Sequence, residues 1–552
     1  MLFDATRREL LRFSGMGLAA TAAPALAMAS GRTHTGSTTP AMAGSPARFD
    51  VRQFGATGDG KTVDSPAINK AIEAAAAAGG GTVTFPAGSY LCFSVRLKSH
   101  VHLELMAGTA IIAADSPKPG DATGYNGGTY DAAEPNLPWE PYQDYGHNHW
   151  HNSLLWGEDL DNVAITGPGL IWGRGLSNGR DHVMLGYPFR AEQAGVGNKA
   201  IALKNCRNVL FRDFAILKGG HFGLLLTGVD NLTIDGLVID TDRDGMDIDC
   251  CRNVRVANCT VNSPWDDGIC PKSSYALGYA RSTDNVTITN CYVTGTYQLG
   301  TVLDGTFKKF TGQESAEMRP FYTGRIKCGT ESNGGFRNIT ISNCVFEGCH
   351  GLALESEDGA LLEDIAVSNL TMRDLISGPL FLRLGARLRG PQATTKVGTL
   401  RRVTISNIAS YNSASKLCAI ASGVPQAAIE DLRIANIFME HQGGAPQSYA
   451  GITPPENEAK YPDPAMFGPM PSQGFFFRHV KRLEVSHTEV AAATPDPRPA
   501  FYLEDVERAD FIAVTAPAGQ PAFRLKDVRD LRVRISRAAA DATLDKATDQ
   551  TL

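Results

Sequence analysis

Two aspartates stand side by side in NSPWDDGICPK (residues 262–272), Asp266 and Asp267. Adjacent carboxylates repel, so a chain either solvates both or uses the repulsion to keep a proton on one. A third, Asp244, lies in TDRDGMDID, 22 residues before Asp266. A protonated acid beside ionised neighbours is what cleavage of a glycosidic bond needs. One group protonates the leaving oxygen, and another activates water or attacks directly. Further along, Arg325-Ile326-Lys327 puts two cations at alternate positions, which point the same way in a strand. Cations beside an acid site suit an acidic sugar.

Whether these groups meet depends on the chain that carries them. Segments beginning NVAITG (162), NVLFRD (208), NLTIDG (231), NVRVAN (253), NVTITN (285) and NITISN (338) repeat one pattern. Each has an asparagine, alternating β-formers, a polar bend and a second short strand. Looser copies begin at 364, 402 and 431. Three steps are 23, 22 and 32 residues, and the step from 285 to 338 leaves room for two coils or one long loop. A single such unit cannot bury its apolar face, but stacked units can. The bends turn corners without the Asn-Gly or Asp-Gly signals of hairpins, which argues against a sandwich or propeller. The predicted fold is all-β: a right-handed, single-stranded parallel β-helix. Successive coils place side chains about 4.8 Å apart, so a 22-residue step brings Asp244 beside Asp266 and Asp267.

The segment 49–92 predicts a capping helix over the open apolar end. Asp64 or Ser65 can cap it, Pro66 suits its first turn and Gly79-Gly80-Gly81 ends it. The β-helix is read as one domain over 48–552, with weaker terminal coils at 475–552 and a long loop in the proline-rich stretch 451–474.

Composition narrows the partners. The chain has 552 residues, 43% of them hydrophobic, a net charge of −6 and a pI near 6.1, so no basic excess points to nucleic acid. Its 11 cysteines lack zinc-finger spacing, and most, such as Cys250, Cys270 and Cys344 in or just after strand-like runs, read as small buried hydrophobes. No metal and no cofactor is expected. The N-terminus carries Arg7-Arg8 and a mild apolar run ending in Ala25-Leu26-Ala27 and Ala27-Met28-Ala29. That anatomy reads as a twin-arginine export signal over 1–29, then a disordered leader over 30–47. The expected location is periplasmic or secreted, as a monomer without stable membrane insertion.

The order FGA-x-GDG, helix, GGG-T-V-x-F-P-x-G-x-Y resembles the N-terminal cap of the pectate-lyase-like β-helix superfamily. Asp242-Arg243-Asp244-Gly245, Trp265-Asp266-Asp267 and Arg325-Ile326-Lys327 resemble, in order, three motifs of glycoside hydrolase family 28, the polygalacturonases and rhamnogalacturonan hydrolases. The resemblance implies that Asp266 is the general acid, that Asp244 and Asp267 activate water with inversion, and that Arg325 and Lys327 hold a substrate carboxylate. The implied substrate is a pectic galacturonan or rhamnogalacturonan. Two departures stand out. Asp242 replaces the family's asparagine, and the stretch 291–302 lacks the Gly-His-Gly histidine expected one coil after the paired aspartates.

Other residues compete for roles. YGHNHWHNSLLW (145–156) sets His147, His149 and His151 at alternate positions, which in a strand would share a face. A metal site is one reading and ordinary loop packing another. The favoured one is a loop over the cleft, with Trp150 stacking on a sugar and His149, His151 and Trp265 also binding substrate. Glu355 and Glu357 read as solvated turn acids; Asp249, Asp284 and Asp364 read as turn caps. TDRDGMDID looks like half a calcium loop without its terminal glutamate. Two rival functions share the fold: a polysaccharide lyase, which needs calcium and an arginine or lysine base, and a non-catalytic carbohydrate-binding β-helix.

Overall fold

Repeats of β-branched residues between asparagines coil into a right-handed parallel β-helix. The computed structural model describes residues 47–143, 146–178, 192–309, 323–414 and 416–552. The expected export signal and its leader up to residue 46 lie outside the described residues. Phe222–Thr227, Asp230–Asp235 and Val238–Asp240 make one coil, and Asp244–Asp249, Arg252–Ala257 and Thr260–Asn262 make the next. They pair in parallel, Phe222 with Asp244, Asp230 with Arg252 and Val238 with Thr260, so this coil is 22 residues long.

The repeat asparagines fix the corners. Asn162, Asn208, Asn231, Asn253, Asn285 and Asn338 all adopt φ of 55–58°, a left-handed conformation that asparagine tolerates better than most residues. From Asn208 onward each side-chain amide donates to the asparagine amide oxygen one coil back, at 2.7–3.1 Å, while Asn162 Nδ2 donates to His100 Nδ1 at 3.0 Å. Inside, Val209, Leu232, Val254, Val286, Ile339, Ile365, Val403 and Leu432 stack in register and are buried. Burying each such side chain contributes roughly 1.5–3 kcal/mol, and one continuous core runs from Val51 to Ala547.

Val286 pairs directly with Ile339, so the 285–338 step is one coil carrying a long insertion. That insertion leaves the helix through a short antiparallel pair, Tyr297–Leu299 with Lys308–Lys309. At the N-terminal end, helix Ser65–Ala77 buries Ile68, Ala71, Ile72 and Ala75. Asp64 precedes it but does not cap it, because its carboxylate accepts instead from the Thr57 and Gly58 amides. At the other end, Phe475, Phe501 and Phe523 stack on successive coils, and Ala542–Thr551 pairs antiparallel with Phe523–Arg534. All 11 cysteines are free and buried.

Candidate active site

Strand alternation aims the chemistry outward. Within Asp244–Asp249, Met246 and Ile248 enter the core, so Asp247 faces the other way. The next rung is Ile269–Lys272, and Ile269 then bridges to Ile326. Arg325-Ile326-Lys327 is therefore the rung directly after the paired aspartates, followed by Leu352–Ser356 through Lys327 and Ala353. This corrects the sequence alignment. The stretch 291–302 is not the next rung, and the cation motif occupies the coil where the family resemblance puts its histidine.

The trio converges. One carboxylate oxygen from each of Asp244, Asp266 and Asp267 lies within 4.8 Å of the others. Backbone bonds hold the rungs together: the Gly245 amide donates to Asp267 O at 3.0 Å, and the Gly324 amide to Asp266 O at 2.8 Å. Asp267 is buried. Arg325 Nε donates to its Oδ1 at 2.9 Å, and Lys327 Nζ lies 2.7 Å from its Oδ2. Burial pushes this carboxyl up, but Lys327 and Arg325 outweigh it and hold the group well below the usual carboxylate range. Asp244 is buried with Oδ1 unbonded; burial first, then the Asp266 charge, pushes it well above that range. Asp266 is the most open, with 23% of its side chain exposed, and accepts from Arg243 Nη2 at 2.9 Å. The three environments thus differ: Asp267 is paired with two cations, Asp244 is buried with its carboxyl pushed up, and Asp266 is partly exposed.

Arg325 and Lys327 were expected to await a substrate carboxylate. Both are instead buried against Asp267, and Arg325 Nη2 also faces Glu355 at 3.7 Å. Glu355 and Glu357 are not solvated turn acids: both are fully buried, beside Arg325 and Arg383, and burial raises both carboxyls. Residues 244–249 form a strand rather than a calcium loop. Asp249 accepts from the Ser274 amide and hydroxyl.

The histidine cluster also departs from expectation, because residues 146–153 are turns and not a strand. His147 Nδ1 points to Asp247 at 3.8 Å, His149 Nε2 to Glu140 at 3.3 Å, and His151 Nε2 to Glu158 at 3.0 Å. Burial pulls His147 down to about 3. Trp150 cannot stack on a sugar: it is fully buried among Ala202, Phe222 and Leu225, and its indole N–H donates to Thr227 Oγ1 at 3.1 Å. Trp265 stays half-buried directly before Asp266, its indole N–H without a hydrogen-bond partner. Glu134, His151 and Glu158 could offer three ligand atoms to a cation, but Lys204 Nζ already sits 2.7 Å from Glu158. At the aspartate trio, which could likewise offer three ligand atoms, Arg325 and Lys327 both contact Asp267.

Several groups at this site escaped the sequence reading. Asp247 is fully buried, neither oxygen has a hydrogen-bond partner, and Lys272 Nζ lies 3.8 Å away. Lys272 also reaches Glu331 at 3.1 Å. Alternation in DGMDID could have flagged Asp247. Tyr461 could not be found that way, because it arrives on the proline-rich segment. Arg383 and Arg478 donate to the carbonyls of Glu456, Pro454 and Pro455, and both guanidinium groups lie over Phe467 at 5.4 and 5.3 Å. The segment so held sets the half-exposed Tyr461 with its hydroxyl 3.2 Å from Lys327 Nζ, and Asp463 at 3.7 Å from His350 Nδ1.

Residues 48–112 match the family described as rhamnogalacturonase A/epimerase, pectate lyase-like. The fold matches the Yersinia enterocolitica family 28 exopolygalacturonase with a TM-score of 0.55, at 18% identity, covering 88% of this chain and 78% of that one. It also matches a hyperthermoactive exopolygalacturonase from Thermotoga maritima with a TM-score of 0.53, at 14% identity, covering 92% and 95%. The chain shares the parallel β-helix fold of these enzymes. Among curated relatives, a probable polygalacturonase of Vitis vinifera is 23% identical over 315 residues, 52% of this chain and 58% of that protein. The β-helix thus spans less than two thirds of the first curated relatives it matches.

Proposed function

We propose that this β-helix is a glycoside hydrolase acting on pectic polysaccharide, galacturonan or rhamnogalacturonan, with inversion at the anomeric carbon. The supporting observation is the unequal trio. Asp267, kept ionised by Lys327 and Arg325, orients the attacking water through the lone pairs that its ion pairs leave free and takes the proton which that water loses. Asp244 keeps a proton within 4.8 Å of Asp266, and Asp266, open to the cleft, passes it to the leaving oxygen. So close a set would by spacing alone suit a retaining enzyme. No carboxylate of the trio is a free nucleophile, however: both oxygens of Asp267 carry a cation, Asp266 carries Arg243, and Asp244 is protonated. Water is left to attack.

A lyase would need a neutral arginine or lysine base, whereas Asp267 holds both Arg325 and Lys327 in their charged forms. Export through the twin-arginine signal would deliver the enzyme to its polymer. The test is incubation with galacturonan and with rhamnogalacturonan. New reducing ends without an ultraviolet-absorbing product, lost in Asp266→Asn, support the reading. An unsaturated product, or no cleavage, overturns it.

A further inference from the structure

We propose that His479 is a pH-sensitive latch: as an imidazolium it fastens residues 451–474 to the body of the β-helix, and its deprotonation loosens that segment and the Tyr461 it carries beside the aspartate trio. This adds regulation to the hydrolase reading, and the fastening itself is testable without turnover.

Both ring nitrogens of His479 meet carboxylates. Nδ1 lies 2.7 Å from Asp505 Oδ2, and Nε2 lies 3.3 Å from Glu456 Oε1. Ionised carboxylates only accept hydrogen bonds, and a neutral imidazole donates from one nitrogen, so the imidazolium alone meets both contacts together. Burial opposes that charge, but Glu456 and Asp505 outweigh it and raise the group above its ordinary 6.5. Strand register builds the contact: Arg478 pairs with Glu504 and Val480 with Val506, which sets His479 beside Asp505 at two left-handed corners, φ 53° and 50°. Asp505 thus belongs to the β-helix and Glu456 to the proline-rich segment, and the imidazolium joins them. Of the described elements around it, the coil before presents the uncharged Gly423, and Arg478 turns to the carbonyls of Pro454 and Pro455 and to Glu456 Oε1 at 3.2 Å.

The segment's other described fastenings hold steady across the range in which an imidazole titrates. Arg383 and Arg478 keep their charge, and the Ala386 amide donates to Glu458 O at 2.7 Å. Phe467 and Met470 pack with Phe381, Ile420 and Phe476. At the site end Asp463 faces His350, but burial pulls that imidazole down to about 4. A raised folded value means that the latch is complete below 6.5 and is lost as pH climbs through the folded value. The arginines still hold the segment at high pH, so losing the latch makes it open more often without releasing it. Tyr461 follows Glu456 on this segment, its hydroxyl 3.2 Å from Lys327 Nζ, and each opening takes that ring away from the cleft.

The test is hydrogen–deuterium exchange read by mass spectrometry on the full-length wild type and on His479→Gln, corrected for the intrinsic pH dependence of exchange, from about pH 5 to about pH 9. Peptides covering 456–463 should open about two- to fivefold more often in His479→Gln than in the wild type in acid, and equally often in alkali. Asp505→Asn should move the wild-type midpoint to lower pH, because it removes one of the carboxylates that hold the proton. The ratio of KM on a pectic oligosaccharide, His479→Gln over wild type, should follow the same course. An opening ratio that stays constant with pH, as a merely structural histidine would give, or a midpoint unmoved in Asp505→Asn would overturn the latch. A KM ratio of one throughout would overturn its link to the site. No cleavage by the wild type would sink the hydrolase reading alone and leave the exchange result to decide this one.

Discussion

Lys327 Nζ lies 2.7 Å from Asp267 Oδ2, with each side chain only 2% exposed, on rungs that follow one another in the β-helix. With Arg325 on the other oxygen, this buried contact makes Asp267 a structural ion as much as a chemical one. Asp267→Asn should therefore cost stability, about 3–5 kcal/mol, because it leaves two buried cations uncompensated. Asp266→Asn, on the open carboxylate, should fold like the wild type and lose activity by about 10²–10⁴-fold. Thermal melts paired with kcat separate the two; equal melting losses would contradict the division.

The trio's protons set the pH response. Asp267 has a lowered folded value, so its stabilisation is complete above the ordinary aspartate value of 3.8 and is lost only as pH falls through the lower folded value. Asp244 runs the opposite way: its raised folded value means stability falls as pH climbs from 3.8 towards that value. Asp244→Asn should then raise the melting temperature at neutral and alkaline pH, leave it unchanged in acid, and remove activity. The alkaline limb of kcat/KM in the wild type should lie above the ordinary carboxylate range.

The asparagine ladder should be structural only. Asn253 sits at φ 58° and shares side-chain amide bonds with Asn231 and Asn285. Asn253→Ala should destabilise by about 2 kcal/mol through left-handed strain and lost bonds. Asn253→Gly should recover the strain part, and KM should not move in either. Melting curves and steady-state kinetics check this.

Tyr461 should act through binding. Tyr461→Ala should raise KM about tenfold by removing a stacking face, while Tyr461→Phe keeps the ring and loses only the contact to Lys327 at 3.2 Å. A Phe variant as weak as the Ala variant would assign the effect to the hydroxyl instead.

These residues also mark how far the sequence could be read. The 22-residue interval from Asp244 to Asp266, and asparagines heading each repeat, were enough to infer the coil and the meeting of the aspartates, because stacking turns sequence period directly into neighbourhood. The rung of Arg325 was ambiguous, since an insertion of unknown course separates it from Lys272. Alternation says which side chains leave the core but not what covers them. Trp150 was therefore taken for a sugar platform, when the chain folds it under as packing for Leu225. Tyr461, 134 residues from its partner Lys327, is brought in by Arg383, Arg478 and Phe467, a clamp with no local signature. The same limit applies to Arg325 and Lys327: their type and spacing were legible, but not that Asp267 already occupies both.

The most direct test of the account is proton NMR of the first product released from a pectic oligosaccharide, recorded before mutarotation. Water attack directed by Asp267 predicts the anomer opposite to that of the cleaved bond. Retention of configuration would contradict it, because one of the trio would then have been the nucleophile.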